Sequence, residues 1–169
     1  GLQGSVHHWD GSSWTWVAGP PPSGGSLAFH DVWGTSASDV WVVGDERFVL
    51  HWDGSTWSES EIDTPALSES IWSSSPNDVW VVGRAGSTFH WNGSVWSTVT
   101  GGASAQLQAA WVSSPNDGWA AGYGSLLHWN GSTWSELPGF ADIDITGFIG
   151  FAANDVWAVS YSEVLRWNG

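Results

Sequence analysis

The chain has 169 residues, 41% hydrophobic and 15% aromatic with seventeen Trp, and sets three Lys or Arg against seventeen Asp or Glu for a formal charge of -14. That content is too apolar for a disordered chain, and the charge argues against nucleic acid or an anionic membrane as partner, because both require clustered cations to displace counterions. The absence of Cys removes any disulfide framework, thiolate zinc site or cysteine nucleophile, and no apolar run approaches the ~18 residues of a membrane-spanning helix.

Taken in chain order, the segments repeat. GSVHHWDG opens the chain, and a Trp-rich stretch over residues 14–18 follows its turn; these read as two strands, C and D, of an incomplete unit over residues 1–18. After the stiff Gly19-Pro20-Pro21-Pro22 segment comes a full unit over 27–60. Its strand A is an apolar segment ending at Trp33, strand B is DVWVVG, strand C carries His51-Trp52 and strand D carries Trp57. The same order returns over 68–100 and 106–137, with strand A ending at Trp72 and Trp111, and over 143–169, where only strands A to C are present and Ile149 takes the Trp position. The strand B tryptophans, Trp41, Trp80, Trp119 and Trp157, are 39, 39 and 38 residues apart. Each segment is short, rich in Val, Trp, Ile and Leu, and bounded by Gly, Pro, Asn, Asp and Ser, which is strand and not helix patterning. A period of about 40 residues with four strands each is the signature of β-propeller blades. The expected fold is therefore all-β, a propeller of four-stranded antiparallel blades.

The repeated residues have structural readings. A single blade has two apolar faces and cannot bury them alone, so the recurring Trp are expected to fill the wedges between stacked blades. Asp53-Gly54, Asn92-Gly93 and Asn130-Gly131 are expected to form two-residue type I′ hairpins between strands C and D, with both central residues at φ > 0. Asn92 and Asn130 also head N-x-S patterns for glycosylation, but Asp10 and Asp53 at the same place show that the turn alone accounts for them. Asp39, Asp78, Asp117 and Asp155 end the A–B turns, where a carboxylate is expected to accept backbone N–H groups. His51, His90 and His128 share one repeat position in different blades, too far apart to share a metal unless they line the channel, so they read as structural.

Function is sought in what differs between repeats. In an antiparallel blade the A–B and C–D turns emerge on one face and the B–C and D–A connections on the other; the first set is nearly constant here and the second varies in every repeat. The varied face includes Asp45, Glu46, Arg47, Arg84, Tyr123, Tyr161 and Glu163 from B–C connections, and Glu69 and Phe140 from D–A connections. Of these, Arg47, Arg84, Tyr123, Tyr161 and Glu163 are the candidate ligand-binding residues, since loops on a rigid scaffold are the usual home of recognition. Glu59, Glu61 and Asp63 with Asp142 and Asp144 supply hard oxygen ligands, and calcium is the cation they would take. The same acids could pair as in glycoside hydrolysis, but no nucleophile elbow, zinc motif or phosphate loop accompanies them, and the chain reads as non-enzymatic.

The phrases DVWVVG and HWNGSTWS resemble the Trp-rich tandem propeller repeats of secreted bacterial proteins and are similar, more distantly, to tectonin and tachylectin lectins and to fucose-binding propeller lectins. The resemblance implies shallow sugar sites between adjacent blades, with an aromatic face stacking on the sugar, and an extracellular or cell-surface setting. Two functions are expected from it: a lectin-like carbohydrate-binding or recognition module gaining avidity by repetition, or a purely structural or adhesive surface or filament component with no small-molecule site. The strand count predicts one strand C too many for a four-blade ring. The chain is accordingly expected to be part of a longer array, or to complete its seam by self-association through terminal strands, because an unpaired Trp-rich edge invites pairing.

Overall fold

The computed structural model describes residues 4–19, 28–45, 47–63, 67–99 and 106–169; Glu46 and Pro20 to Pro22 lie outside the described residues. A hairpin of β1 (Val6–Trp9) and β2 (Trp14–Ala18) comes first. The first full blade is β3 (Phe29–Ser36), β4 (Asp39–Gly44), β5 (Phe48–Trp52) and β6 (Trp57–Glu61). The second is β7 (Ser68–Ser75), β8 (Asp78–Gly83), β9 (Thr88–Trp91) and β10 (Trp96–Thr98), and the third is β11 (Leu107–Ser114), β12 (Asp117–Gly122), β13 (Ser125–Trp129) and β14 (Trp134–Glu136). A three-stranded blade of β15 (Ile145–Ala152), β16 (Asp155–Ser160) and β17 (Val164–Trp167) follows. Every pairing is antiparallel between strands consecutive in the chain.

Two local expectations are corrected. Strand A does not stop at its Trp: β3, β7 and β11 run on to Ser36, Ser75 and Ser114, which pair with Asp39, Asp78 and Asp117. The two-residue turns are therefore Ala37-Ser38, Pro76-Asn77 and Pro115-Asn116, between strands A and B. Between C and D, Trp52 pairs with Trp57, Trp91 with Trp96 and Trp129 with Trp134, leaving four-residue loops instead of type I′ turns. The first side chain of each loop sets its shape. Asp53 Oδ1 accepts the N–H groups of Ser55 and Thr56 at 2.8 Å each, and Asn92 and Asn130 do the same for their loops. Only the Gly takes positive φ, at 94° for Gly54, 92° for Gly93 and 91° for Gly131. The bonds from Thr56 and Ser55 also hold the Asp53 carboxyl well below its usual range, as the bonds from Ser13 and Ser12 do for Asp10.

The blades stack through their tryptophans. Trp41, Trp80 and Trp119 are buried, and each reaches the next blade. Trp41 meets Trp96 edge-on at 5.8 Å and 87°, and Trp80 meets Trp134 at 5.4 Å and 89°, an arrangement that adds about 0.5–1.5 kcal/mol beyond the area buried. Around Trp41 a core joins Val43 and Val49 of the first blade to Ile71, Val81 and Phe89 of the second. Equivalent cores surround Trp80 and Trp119. On strand A, Trp33 lies stacked on Trp72 with centroids 3.3 Å apart, and its indole N–H donates to the Ser73 carbonyl of the second blade at 3.1 Å. Trp72 repeats this with the Val112 carbonyl at 3.0 Å. The strands A of successive blades are direct neighbours, which makes them the inner strands of the arc.

Candidate functional site

The repeated polar residues close on each other inside each blade. Asp39 accepts bonds from the Trp41 indole at 2.9 Å, the His51 Nε2 at 2.8 Å and the Thr35 hydroxyl. Asp78 does the same with Trp80 at 3.1 Å, His90 at 2.8 Å and Ser74, and Asp117 with His128 at 2.8 Å and Ser113. The expected backbone N–H partners are thus replaced by side chains from strands A, B and C, because the Asp sits at the start of strand B with its carboxylate turned along the blade. Two of the His also stack on their Trp, His51 on Trp41 at 3.7 Å and His90 on Trp80 at 4.4 Å, and His128 meets Trp119 tilted at 4.5 Å. The group ties three strands together and its members are consumed by one another, which assigns it to the scaffold. Burial alone would raise the Asp78 carboxyl, but the bonds and charge of His90 and the bonds from Ser74 and Trp80 outweigh it and hold the group low. In the last blade Arg166 replaces the His, its Nε 2.9 Å from Asp155 and its guanidinium over the Trp157 ring.

The varied face divides into two parts. Near the first two blades, His30 bridges Asp45 at 3.2 Å and the Ser68 carbonyl at 2.9 Å, with Glu69 3.7 Å away. Glu69 in turn accepts from Arg84 at 2.8 Å and Gln106 at 3.0 Å, and Asp31 accepts from Ser70 and the Ile71 N–H at 2.9 Å each. The His30–Ser68, Asp31–Ser70 and Gln106–Glu69 bonds run from blade to blade, whereas Arg84 is held by Glu69 within the second blade with its side chain half exposed. Arg47 stands apart, 3.6 Å from Glu61. Sequence reasoning passed over His30, Asp31 and Gln106. For His30 the signal was present: His30, Glu69, Gln108 and Thr146 share the second place of strand A, a polar position that changes in every blade.

Between the third and fourth blades the face is different. Tyr123 and Tyr161 follow β12 and β16 and are 47% and 78% exposed. Asp144 links them: its carboxylate accepts the Gly124 N–H at 3.0 Å, beside Tyr123, and the next residue, Ile145, pairs with Ser160, beside Tyr161. Glu163 lies in the same turn as Tyr161, its N–H donated to Ser160 Oγ at 3.1 Å, and Asp142 lies two residues before Asp144. Tyr123, Tyr161 and Glu163 thus belong to the B–C connections of the third and fourth blades, while Arg47 and Arg84 belong to those of the first and second.

The five acids named as oxygen ligands fall in two separate places. Glu59, Glu61 and Asp63 belong to the end of the first blade and Asp142 and Asp144 to the entry of the fourth, Glu61 faces Arg47, and Asp144 is engaged by Gly124. Among the described residues no three acids or histidines are grouped to hold a metal ion.

Repeated four-stranded antiparallel sheets stacked about inner strands A define a β-propeller arc. The chain is similar in structure to YCF48 from Cyanidioschyzon merolae, at 14% identity and a TM-score of 0.75 over 99% of this chain and 62% of that one. It is also similar to two computationally designed proteins. Ika4 matches with 17% identity and TM-score 0.65 over 86% of this chain and 94% of that one, and Ika8 with 16% and 0.67 over 86% and 47%. The chain therefore spans 62% of the YCF48 chain it matches. No protein-family model and no curated protein matches the sequence.

Proposed function

We propose that this propeller arc is a non-enzymatic, lectin-like recognition module of an extracellular or cell-surface protein, and that it takes carbohydrate at the junction of its third and fourth blades. The observation that supports the reading is the pair of exposed tyrosines, Tyr123 and Tyr161, in the B–C connections of adjacent blades, with Asp144 accepting the Gly124 N–H next to Tyr123 and Glu163 in the turn of Tyr161. Aromatic faces stack on the apolar face of a sugar ring, and carboxylates accept its hydroxyls. An acidic surface imposes no penalty on a neutral sugar, whereas it repels anionic ligands. Specificity belongs to the varied loops and rigidity to the repeated Asp-Trp-His groups beneath them.

A glycan array identifies the saccharide, and titration followed by intrinsic fluorescence measures it. Binding is expected for at least one saccharide and is expected to fall at least tenfold in Tyr161→Ala with the melting temperature unchanged. A chain that binds no saccharide, or a Tyr161→Ala variant that binds as tightly as the parent, defeats this reading.

A further inference from the structure

The loops between strands C and D share one shape but not one chemistry. In the first hairpin and the first blade the leading residue is an aspartate with both oxygens engaged. Asp10 Oδ1 accepts the N–H groups of Ser12 and Ser13 and the Ser12 hydroxyl at 2.8 Å each, and its Oδ2 accepts the Ser13 hydroxyl at 3.2 Å. Asp53 repeats the set with Ser55 and Thr56.

In the second and third blades the leading residue is Asn92 or Asn130, and the side chain closes the loop with two bonds. Asn92 Oδ1 accepts the N–H groups of Ser94 and Val95 at 3.0 and 3.1 Å, and Asn130 Oδ1 those of Ser132 and Thr133 at 3.0 Å each. Two N–H donors facing one atom fix that atom as the oxygen and turn the amide nitrogen the other way. Neither Nδ2 donates a hydrogen bond among the described residues. The hydroxyls of Ser94 and Ser132 are equally unengaged there, although their counterparts on Ser12 and Ser55 bond the carboxylate. Asn92, Ser94, Asn130 and Ser132 are all exposed. The turn therefore uses the oxygen of each Asn and leaves the nitrogen unemployed.

We propose that Asn92 and Asn130 are acceptor sites for N-linked glycan. They head Asn92-Gly93-Ser94 and Asn130-Gly131-Ser132. The groups that an oligosaccharide transferase reads in such a pattern are the amide nitrogen and the hydroxyl two residues on, and these are the groups that both loops leave free. The donor is an oligosaccharide carried on a lipid pyrophosphate. Nδ2 attacks C1 of its first sugar, and the N–C bond forms as the C1–O bond to the pyrophosphate breaks. The pyrophosphate leaves with the electron pair, and the amide proton passes to a base of the transferase. The Oδ1 bonds survive, because an N-substituted amide keeps its carbonyl acceptor.

The placement suits a recognition module. A Cβ on Gly93 would lie 2.6 Å from the Asn77 side chain, and one on Gly131 2.7 Å from that of Asn116, so both loops rest against the A–B turns. Glycans there stand on the constant face and leave the B–C connections of Tyr123 and Tyr161 open. Access to the donor rests on the extracellular or cell-surface setting proposed above; the test supplies the donor directly, so the site and the setting can fail separately.

The folded 169-residue chain is incubated with a purified oligosaccharide transferase and a lipid-linked oligosaccharide, beside synthetic peptides of the two loops. Asn92→Asp and Asn130→Asp, which copy the loops of Asp10 and Asp53, serve as controls that keep the turn. Intact mass is expected to show a glycan on each Asn of the folded parent and on the remaining one in each variant, and the modified chain is expected to melt no lower than the bare one. Peptides that are modified while the folded chain is not overturn the proposal, since the fold then hides the amides. Modification of one Asn alone overturns it as well, because the two loops free the same groups, and so does a failure of both chain and peptides. A lowered melting temperature in the modified chain would mean that Nδ2 held a bond the loop needs, which also defeats it.

Discussion

At the level of single residues, Asp78 of the second blade bears on how the protein responds to acid. Asp78 titrates below its ordinary value of 3.8 in the folded chain. A carboxylate depressed by folding adds stability above its unfolded pKa and loses it as pH falls through the folded one. Stability is therefore expected to hold from neutral pH to about 4 and to decline below it. Asp78→Asn should lower stability at neutral pH and flatten that acid decline, as read by denaturant melts across the pH range; an acid limb as steep as the parent's refutes the role. The loop glycines make a second test. A Cβ on Gly93 would sit 2.6 Å from the Asn77 side chain, whereas one on Gly11 would meet nothing within 4 Å, and both residues are at positive φ. Gly11→Ala should cost on the order of 1 kcal/mol from the backbone alone, and Gly93→Ala measurably more in the same thermal melts. Equal losses would mean that the A–B turn yields to the new methyl.

Strands and blades bring the tryptophans into play, and their costs should differ by position. Trp80 is buried between two blades, and Trp80→Ala should destabilise by about 3–5 kcal/mol; Trp157 is 37% exposed, and Trp157→Ala should cost well under half of that. Chemical denaturation separates the two, and similar losses would show that the outer face of β16 is covered. The strands themselves were largely legible, because Val- and Trp-rich segments at a fixed period leave few alternatives to stacked blades. The turns were not. Asp-Gly and Asn-Gly announce a glycine at positive φ but do not count the loop, and here the count is set by the Trp52–Trp57, Trp91–Trp96 and Trp129–Trp134 pairs, which close the ladder two residues earlier than a type I′ turn would. Likewise, the aspartates read as turn residues because their partners, Thr35 and His51 for Asp39, come from strands that only the folded blade places beside them.

Across the whole molecule, stability is expected to be graded. The second and third blades are covered on both sides, as the nearly continuous burial of β8 and β12 shows, while β1, β2, β16 and β17 carry exposed Trp and Val. Amide exchange followed by mass spectrometry should be slowest in β8 and β12 and fastest in β1, β2 and β17; uniform protection from end to end in a confirmed monomer would contradict the grading. The candidate site was half legible for a related reason. Tyr123, Tyr161 and Glu163 stood out as loop residues that vary, but Asp144 entered as a cation ligand, and only the folded chain shows its carboxylate on the Gly124 N–H and its neighbour Ile145 paired with Ser160. Finally, Trp33 and Trp72 belong to different blades and their rings lie face to face at contact distance. Two indoles held that closely and at a fixed angle share their excited states, and the mixing splits their absorption into a pair of oppositely signed circular-dichroism bands. The protein therefore carries a built-in optical gauge of the spacing between its first and second blades, one that sliding of the blades would erase while the strands themselves remained intact.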